Sequence, residues 1–339
     1  MNVIGLQLIV ILAGMINGAF ALPSKYIKNW RFEHIWLSFS ILAFLLLPLV
    51  TVVTSGHHTW SLYVNAPTSM IAVILLGGIA FGIGQCCFAL ALDCIGFGLG
   101  FLINIGLGTA LGFAFPLIAL HPSHLLTVFG AATLTGTVMI IIGLLFAYWA
   151  GQIRDNPTST EQAQHRRYTL GVILAVIAGL FSATQNCTFA FTAPLQQLAL
   201  NAGMSQLSAA TVIWPGFLLA AWLPYAGFML HKLIRNRGAQ PAKQFTGSGL
   251  NLMYAGVMAL FWYGSLMLYS YVSINLGPLG PVIAWPLFMV TIVLTSNLLG
   301  WQQGEWSAAP KNAKTPLIAG LLFLITAFIV LAWSMTLPH

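Results

Sequence analysis

Long apolar runs separated by short polar connectors are the dominant pattern of this chain. Runs of membrane-spanning length, about 20 residues each, fall near 3–23, 35–54, 69–92, 96–119, 125–149, 169–191, 207–230, 249–272, 278–300 and 315–337. Lipid offers a backbone amide no water to bond, so a spanning segment must be a helix or part of a closed barrel. Barrel strands would alternate polar and apolar positions over about ten residues. These runs do not alternate, and the pattern predicts an all-α integral membrane protein of ten transmembrane helices. The first run is expected to stay as a helix, because residues 1–24 carry no Lys or Arg and a cleaved signal opens on positive charge.

The polar connectors carry a second regularity. Lys25, Lys28 and Arg31 follow the first run; Arg154, Arg166 and Arg167 the fifth; Lys232, Arg235, Arg237 and Lys243 the seventh; Lys311 and Lys314 the ninth. All the basic residues therefore lie in odd-numbered connectors. Positive charge marks cytoplasmic loops, which predicts a multi-pass protein of the bacterial inner membrane with both termini outside the cytoplasm. The longest hydrophilic stretch, 151–168, divides the chain into 1–150 and 169–339, with five spans each. Residues 13–18 read AGMING where residues 178–183 read AGLFSA, and IGFGLG at 95–100 corresponds to LGPLGP at 276–281. Two copies of an odd number of spans enter the membrane in opposite senses, the inverted repeat of many secondary transporters.

Composition changes the picture in one respect. With 59% hydrophobic and 5% charged residues, against roughly 25% charged in a soluble domain, the chain cannot build a wetted exterior. The net charge of +7 is a topology signal rather than a nucleic-acid surface, because it is dispersed between apolar runs. Cys86, Cys87, Cys94 and Cys187 form no paired CxxC motif and read as small apolar residues.

Candidate chemistry is sparse. Glu33, Asp155, Glu161 and Glu305 fall in loops, and His57, His58, His121 and His124 in external loops. An enzyme would need a base beside a nucleophile or a metal with several ligands, and no such set lies in the spans. No GxxxxGK[ST] loop is present, so neither ATP nor another cofactor is expected. Asp93, at the cytoplasmic end of the third span, is the best acidic candidate for ion coupling, against a reading as a loop charge or helix cap. The polar groups inside the spans are neutral: Asn17, Gln85, Asn104, Thr109, Gln185, Asn186 and Asn297. Amide side chains both donate and accept, as an uncharged polyol requires, and Trp262, Tyr263 and Trp285 could cover the C–H face of a sugar ring. The alternative for each amide is interhelical bonding, worth about 0.6–2 kcal/mol. Gly100, Asn104, Gly108 and Gly112 recur every four residues and place Asn104 on a close-packing helix face. Pro281 and Pro286 predict a kink in the ninth span. Trp30, Trp36, Trp60, Trp149, Trp301, Trp306 and Trp333 read as interface anchors.

Four stretches, ALPSKYIKNWRFEHIW at 21–36, FGIGQ at 81–85, IGFGLGFLINIGLGT at 95–109 and GEW at 304–306, resemble the bacterial L-rhamnose/proton symporter family of the drug/metabolite transporter superfamily. The resemblance implies ten helices in two repeats, a central solute site, and a small neutral sugar taken up with a proton. Asp93 departs from the resemblance, which has a basic residue there, as does the stretch WPLFMVT at 285–291, which lacks its histidine. The alternatives are an exporter of metabolites or amino acids and a non-transporting polytopic scaffold or sensor.

Overall fold

The computed structural model describes residues 2–55, 57–155, 161–235, 249–304, 306–307 and 309–337, and at 57, 58, 93, 96–99, 101, 154, 155 and 161–167 the backbone alone. Among the described residues, ten helices are long and apolar enough to cross a membrane. They are α1 (Val3–Tyr26), α2 (Phe32–Thr54), α3 (Thr68–Leu92), α4 (Leu102–Leu120), α5 (Val128–Ile153), α6 (Tyr168–Asn201), α7 (Gln206–Arg235), α8 (Gly249–Asn275), α9 (Gly280–Gln302) and α10 (Lys311–Ser334). No strand occurs among these residues. The ten apolar runs thus become ten helices in the expected order.

Backbone hydrogen bonding is helical from Thr68 through Leu120, yet the chain reverses within that stretch. A methyl group on Gly100 would stand 3.9 Å from Cα of Leu92, whereas eight residues of straight helix separate their ends by about 12 Å. The resulting hairpin lays α3 and α4 against α6. A Cβ on Gly84 would lie 2.7 Å from Cβ of Phe181, and one on Gly108 would lie 3.3 Å from Cβ of Ser182. Only glycine lets three backbones converge this closely. Likewise α1 packs on α8 and α9, α7 on α3 and α2, and α5 on α10, where Phe146 and Phe323 stack at 5.6 Å.

Several helices are interrupted. In α6 a regular helix ends at Ser182, resumes at Thr184, and restarts at Ala193 after Thr192. Side chains take over the freed carbonyls: Thr184 Oγ1 donates to Phe181 O at 2.6 Å and to Gly77 O at 3.1 Å, and Gln196 Nε2 to Phe189 O at 3.2 Å. The expected sixth span stopped at 191; it continues to Asn201 because Pro194 opens a new helical turn, where its missing N–H costs nothing. In α7 the break before Trp214 parts the carbonyl of Val212 from the N–H of Gly216, and the Tyr63 hydroxyl from the short helix His57–Asn65 serves both, donating to Val212 O at 2.9 Å and accepting from Gly216 N at 3.1 Å. In α2 a π-helical turn, Ile41–Leu46, precedes Pro48. Its wider winding accommodates a ring that cannot pack on a regular α-helical turn.

The connectors gather at two ends. Lys25 Nζ donates to Gln303 Oε1, and Asn251 bonds the backbone of Lys28 through both ends of its amide. The basic connectors after α1 and α9 thus lie at one end, with the start of α8. At the other, His121 Nε2 meets the carbonyl of Pro278 at 3.1 Å. Two expectations are corrected here. Glu33 is not a loop residue: it occupies the first turn of α2 and is 7% exposed. Trp306 is no interface anchor, being buried against Ala150, Ala309, Ala313 and Leu317; Trp60, Trp149, Trp301 and Trp333 are exposed, as anchors should be.

Candidate functional site

The inward direction follows from helical phase. In α1 the exposed residues Ile4, Leu8, Leu12 and Met15 define an outer stripe. Asn17 stands nine positions after Leu8, and at about 100° per residue that places it opposite the stripe. The same interval separates Leu76, in the exposed stripe Leu76, Ile79 and Ile83 of α3, from Gln85. Both amides therefore point into the bundle, not at lipid.

Asn17 Nδ2 donates to Ser265 Oγ of α8 at 2.8 Å, and that hydroxyl donates on to Trp262 O at 2.7 Å. The half-buried indole of Trp262 lies 5.1 Å from Phe44 and 6.1 Å from Phe39, ring centre to ring centre. Asn17 and Trp262 are thereby brought together beside an aromatic wall from α2. Tyr263 is turned away from them, its hydroxyl 3.0 Å from Thr51 Oγ1.

The opposite wall joins α4, α6 and α9. Ser182 Oγ donates to Asn104 Oδ1 at 2.7 Å. One turn along α4, Trp285 Nε1 donates to Gly108 O at 3.2 Å. Gly112 is required there, since a Cβ would fall 2.6 Å from Trp285 Nε1. Further along, Asn186 Nδ2 donates to Gly112 O at 2.7 Å and Pro281 O at 3.0 Å, while its Oδ1 accepts from the Tyr269 hydroxyl. Both amide donors and the acceptor are committed to protein. Asn186 thus clamps α4, α8 and α9 together.

Span α9 links the two walls. Phe288 lies 6.1 Å from Trp285 and 5.1 Å from Tyr269, and its carbonyl would stand 3.0 Å from a Cβ on Gly14, one turn before Asn17.

Several polar groups find no partner among the described residues. Thr109 is fully buried, with its hydroxyl unbonded. Buried threonines such as Thr133, Thr137 and Thr291 bond the carbonyl four residues back, and leaving one unbonded in the interior costs about 1–3 kcal/mol. Gln85 and Gln185 are half-buried and make no side-chain bond to the described residues, and Asn104 Nδ2 likewise donates to none of them. Asn297 bonds its own helix at Val293 O. The side chain of Asp93 lies outside the described residues. Sequence reasoning overlooked Ser182 and Ser265, single hydroxyls in helices with no surrounding motif. It also overlooked His34, fully buried beside Glu33, whose signal was its place in a first turn facing other helices.

The arrangement offers neutral donors and acceptors next to aromatic faces inside a membrane bundle. Sequence comparison carries this further. The model of the family L-rhamnose-proton symport protein (RhaT) matches residues 1–336. Proteins named L-rhamnose-proton symporter are similar over nearly their whole length: one from Klebsiella pneumoniae (strain 342) is 26% identical over 314 residues, 91% of each chain. One from Citrobacter koseri is 25% identical, and one from Escherichia coli (strain SMS-3-5 / SECEC) 24% identical, each over 322 residues and 93% of each chain. With the match running from the first helix through the last, this multi-pass membrane protein belongs to the L-rhamnose-proton symport protein family.

Proposed function

We propose that the chain carries a small neutral sugar, L-rhamnose or one closely similar, into the cell together with a proton. One observation carries the sugar reading: Gln85, Gln185, Thr109 and the Asn104 amide hold bonding capacity inside the membrane that no described residue takes up. A polyol supplies both donors and acceptors to such groups, and Trp262 and Trp285 supply ring faces. A charged metabolite would want a charged partner among these side chains, and they are neutral.

Movement is by alternating access of two halves, 1–150 and 169–339, with the basic connectors in the cytoplasm and both termini outside. Corresponding breaks support this reading. The regular helix of α1 ends at Gly18 and the first helix of α6 at Ser182, one residue apart in the matched AGMING and AGLFSA segments. The neighbours correspond as well: Gly14 meets Phe288 and Thr291 of α9, while Gly179 meets Ile103 and Leu107 of α4. Broken helices at membrane depth are tolerated where they line a cavity or meet protein.

The test is uptake of labelled L-rhamnose by proteoliposomes, with and without an inward proton gradient. Accumulation that requires the gradient is expected, with unlabelled L-rhamnose competing. Uptake no greater than that of protein-free vesicles would overturn the sugar reading, and accumulation indifferent to the gradient would overturn the coupling.

A further inference from the structure

Proton coupling needs a group that changes charge while shielded from bulk water, and the neutral amides of the candidate sugar site cannot titrate. Among the described residues, the acidic, basic and histidine side chains that are buried are Glu33, 7% exposed, and His34, 0% exposed. They are adjacent, in the first turn of α2. Burying ionisable groups is costly, and in membrane helices such groups mark ion pathways.

Their position connects them to the sugar site. Trp36, one turn on from Glu33, packs on Phe20 at 6.1 Å and on Phe39 at 5.4 Å, and Phe39 packs on Trp262. From Glu33 to Phe39 the helix rises about 9 Å. Beyond Phe39 lies the π-helical turn Ile41–Leu46, a winding defect of the kind found at functional sites, and its Phe44 also touches Trp262. A change of charge in the first turn of α2 thus acts on a helix whose middle forms one wall of the candidate site. The other titratable groups around this end are Tyr225 of α7 and Cys86 of α3, clustered about Leu37, and Tyr254 of α8, whose ring lies 5.8 Å from that of Tyr26. Lys232 of α7 lies 5.7 Å from the Phe32 ring centre, Arg31 caps the helix, and His231 and Arg235 are exposed.

Resting on the symport reading above, we propose that Glu33 and His34 form the proton-binding element of the carrier. The pair takes up one proton with each sugar and releases it to the cytoplasm with it. Uptake of the proton either neutralises the carboxylate or charges the imidazole, and its release restores the starting charge, so the cycle balances at one proton moved per turnover.

Glu33→Gln, His34→Gln and Glu33→Asp carriers, with Asp93→Asn in parallel, are reconstituted and assayed in two ways. Gradient-driven accumulation of labelled L-rhamnose reports coupling. Counterflow, the exchange of external label for internal unlabelled sugar at equal pH, reports sugar binding and movement alone. Glu33→Gln is expected to lose at least tenfold in accumulation while counterflow persists, and Glu33→Asp, which keeps a carboxyl group, to retain both. Wild-type accumulation in Glu33→Gln and His34→Gln, or equal loss in Glu33→Asp and Glu33→Gln, overturns the proposal. So does loss of counterflow in a Glu33→Gln carrier whose thermal stability L-rhamnose still raises, because the pair would then serve movement. Loss confined to Asp93→Asn also overturns it and moves the coupling role to that residue. A wild-type protein without L-rhamnose counterflow sinks the sugar reading, a separate outcome.

Discussion

Asn186 and Asn104 are both asparagines buried inside the bundle, on neighbouring spans, and they do opposite things with their amides. Asn186 donates to Gly112 and Pro281 and accepts from Tyr269, exhausting its nitrogen and occupying its oxygen. Asn104 accepts one bond from Ser182 and keeps its two N–H groups, with the unbonded hydroxyl of Thr109 five residues on. A saturated amide fixes helices to one another. An unsaturated one is costly in isolation and makes sense where a ligand completes it. Both are buried asparagines; their partners separate a clamp from the contact proposed for Asn104.

The largest expected effect tests the clamp. Asn186→Leu strips partners from two carbonyls and one phenol in a dry interior, at roughly 2–4 kcal/mol of stability. Melting of the purified protein in detergent should drop by roughly 3–6 °C at that cost. A drop within a degree or two would mean that neighbouring groups or water re-bond these atoms, and the contrast with Asn104 would lose its stronger half.

Gly112 sharpens the comparison from the other side, because it sits at the join of the two regions. Its carbonyl belongs to the clamp, while its missing side chain makes room for Trp285. In Gly112→Ala the new methyl would press within 2.6 Å of the indole nitrogen, an overpacking that costs about 1–3 kcal/mol and turns Trp285 off Gly108. Gly108→Ala is the milder control, meeting Ser182 at 3.3 Å. Intrinsic fluorescence of single-tryptophan carriers retaining Trp285 should shift in the first and not the second. Equal shifts would show that the helices part rather than the ring turning.

Next in size is the contact itself. Asn104→Leu removes the acceptor of Ser182, whose hydroxyl can bond its own helix instead, so melting should change by less than about 1 kcal/mol. Affinity for L-rhamnose, read by calorimetry or by ligand-dependent melting, should fall at least tenfold, equivalent to about 1.4 kcal/mol. Unchanged affinity would make Asn104 a second clamp and erase the distinction.

Much of the fold was legible in the chain, because lipid imposes one rule on every span and each apolar run had to become a helix. Basic connectors were equally plain, and the structure brings the loops carrying Lys25 and Lys28 against Gln303 and Asn251. Partners were not legible. Asn186 and Gln185 adjoin in sequence, yet only one meets Tyr269, since neighbouring positions on a helix point about 100° apart. The reversal between α3 and α4 was legible as the gap between the third and fourth runs; that backbone hydrogen bonding stays helical through it was not. The burial of Glu33 and His34 was hidden because a charged residue at the end of an apolar run reads as a loop, and only the packing of α2 against α7 and α8 makes that turn interior.

The smallest expected effect lies outside the membrane, at the end where α4 and α8 hand over to their connectors. His121 Nε2 donates to the Pro278 carbonyl, tying the approach to α9, and hence to Trp285, against the connector after α4. Burial lowers its pKa from the ordinary 6.5, with the bond to Pro278 opposing in part and neighbouring His124 adding to the fall. A lowered value means that the unfolded chain takes up the proton more readily than the folded one. The stability from neutral His121 is therefore fully present above 6.5 and is lost as pH falls through the lowered folded value. His121→Gln keeps an N–H donor for Pro278 without titrating. The melting difference between pH 8 and pH 5 should be smaller in this variant than in the wild type, with the two proteins alike at pH 8. Parallel pH profiles would show that the protonated ring is as well accommodated at this join as the neutral one, and would leave this end of α9 indifferent to pH.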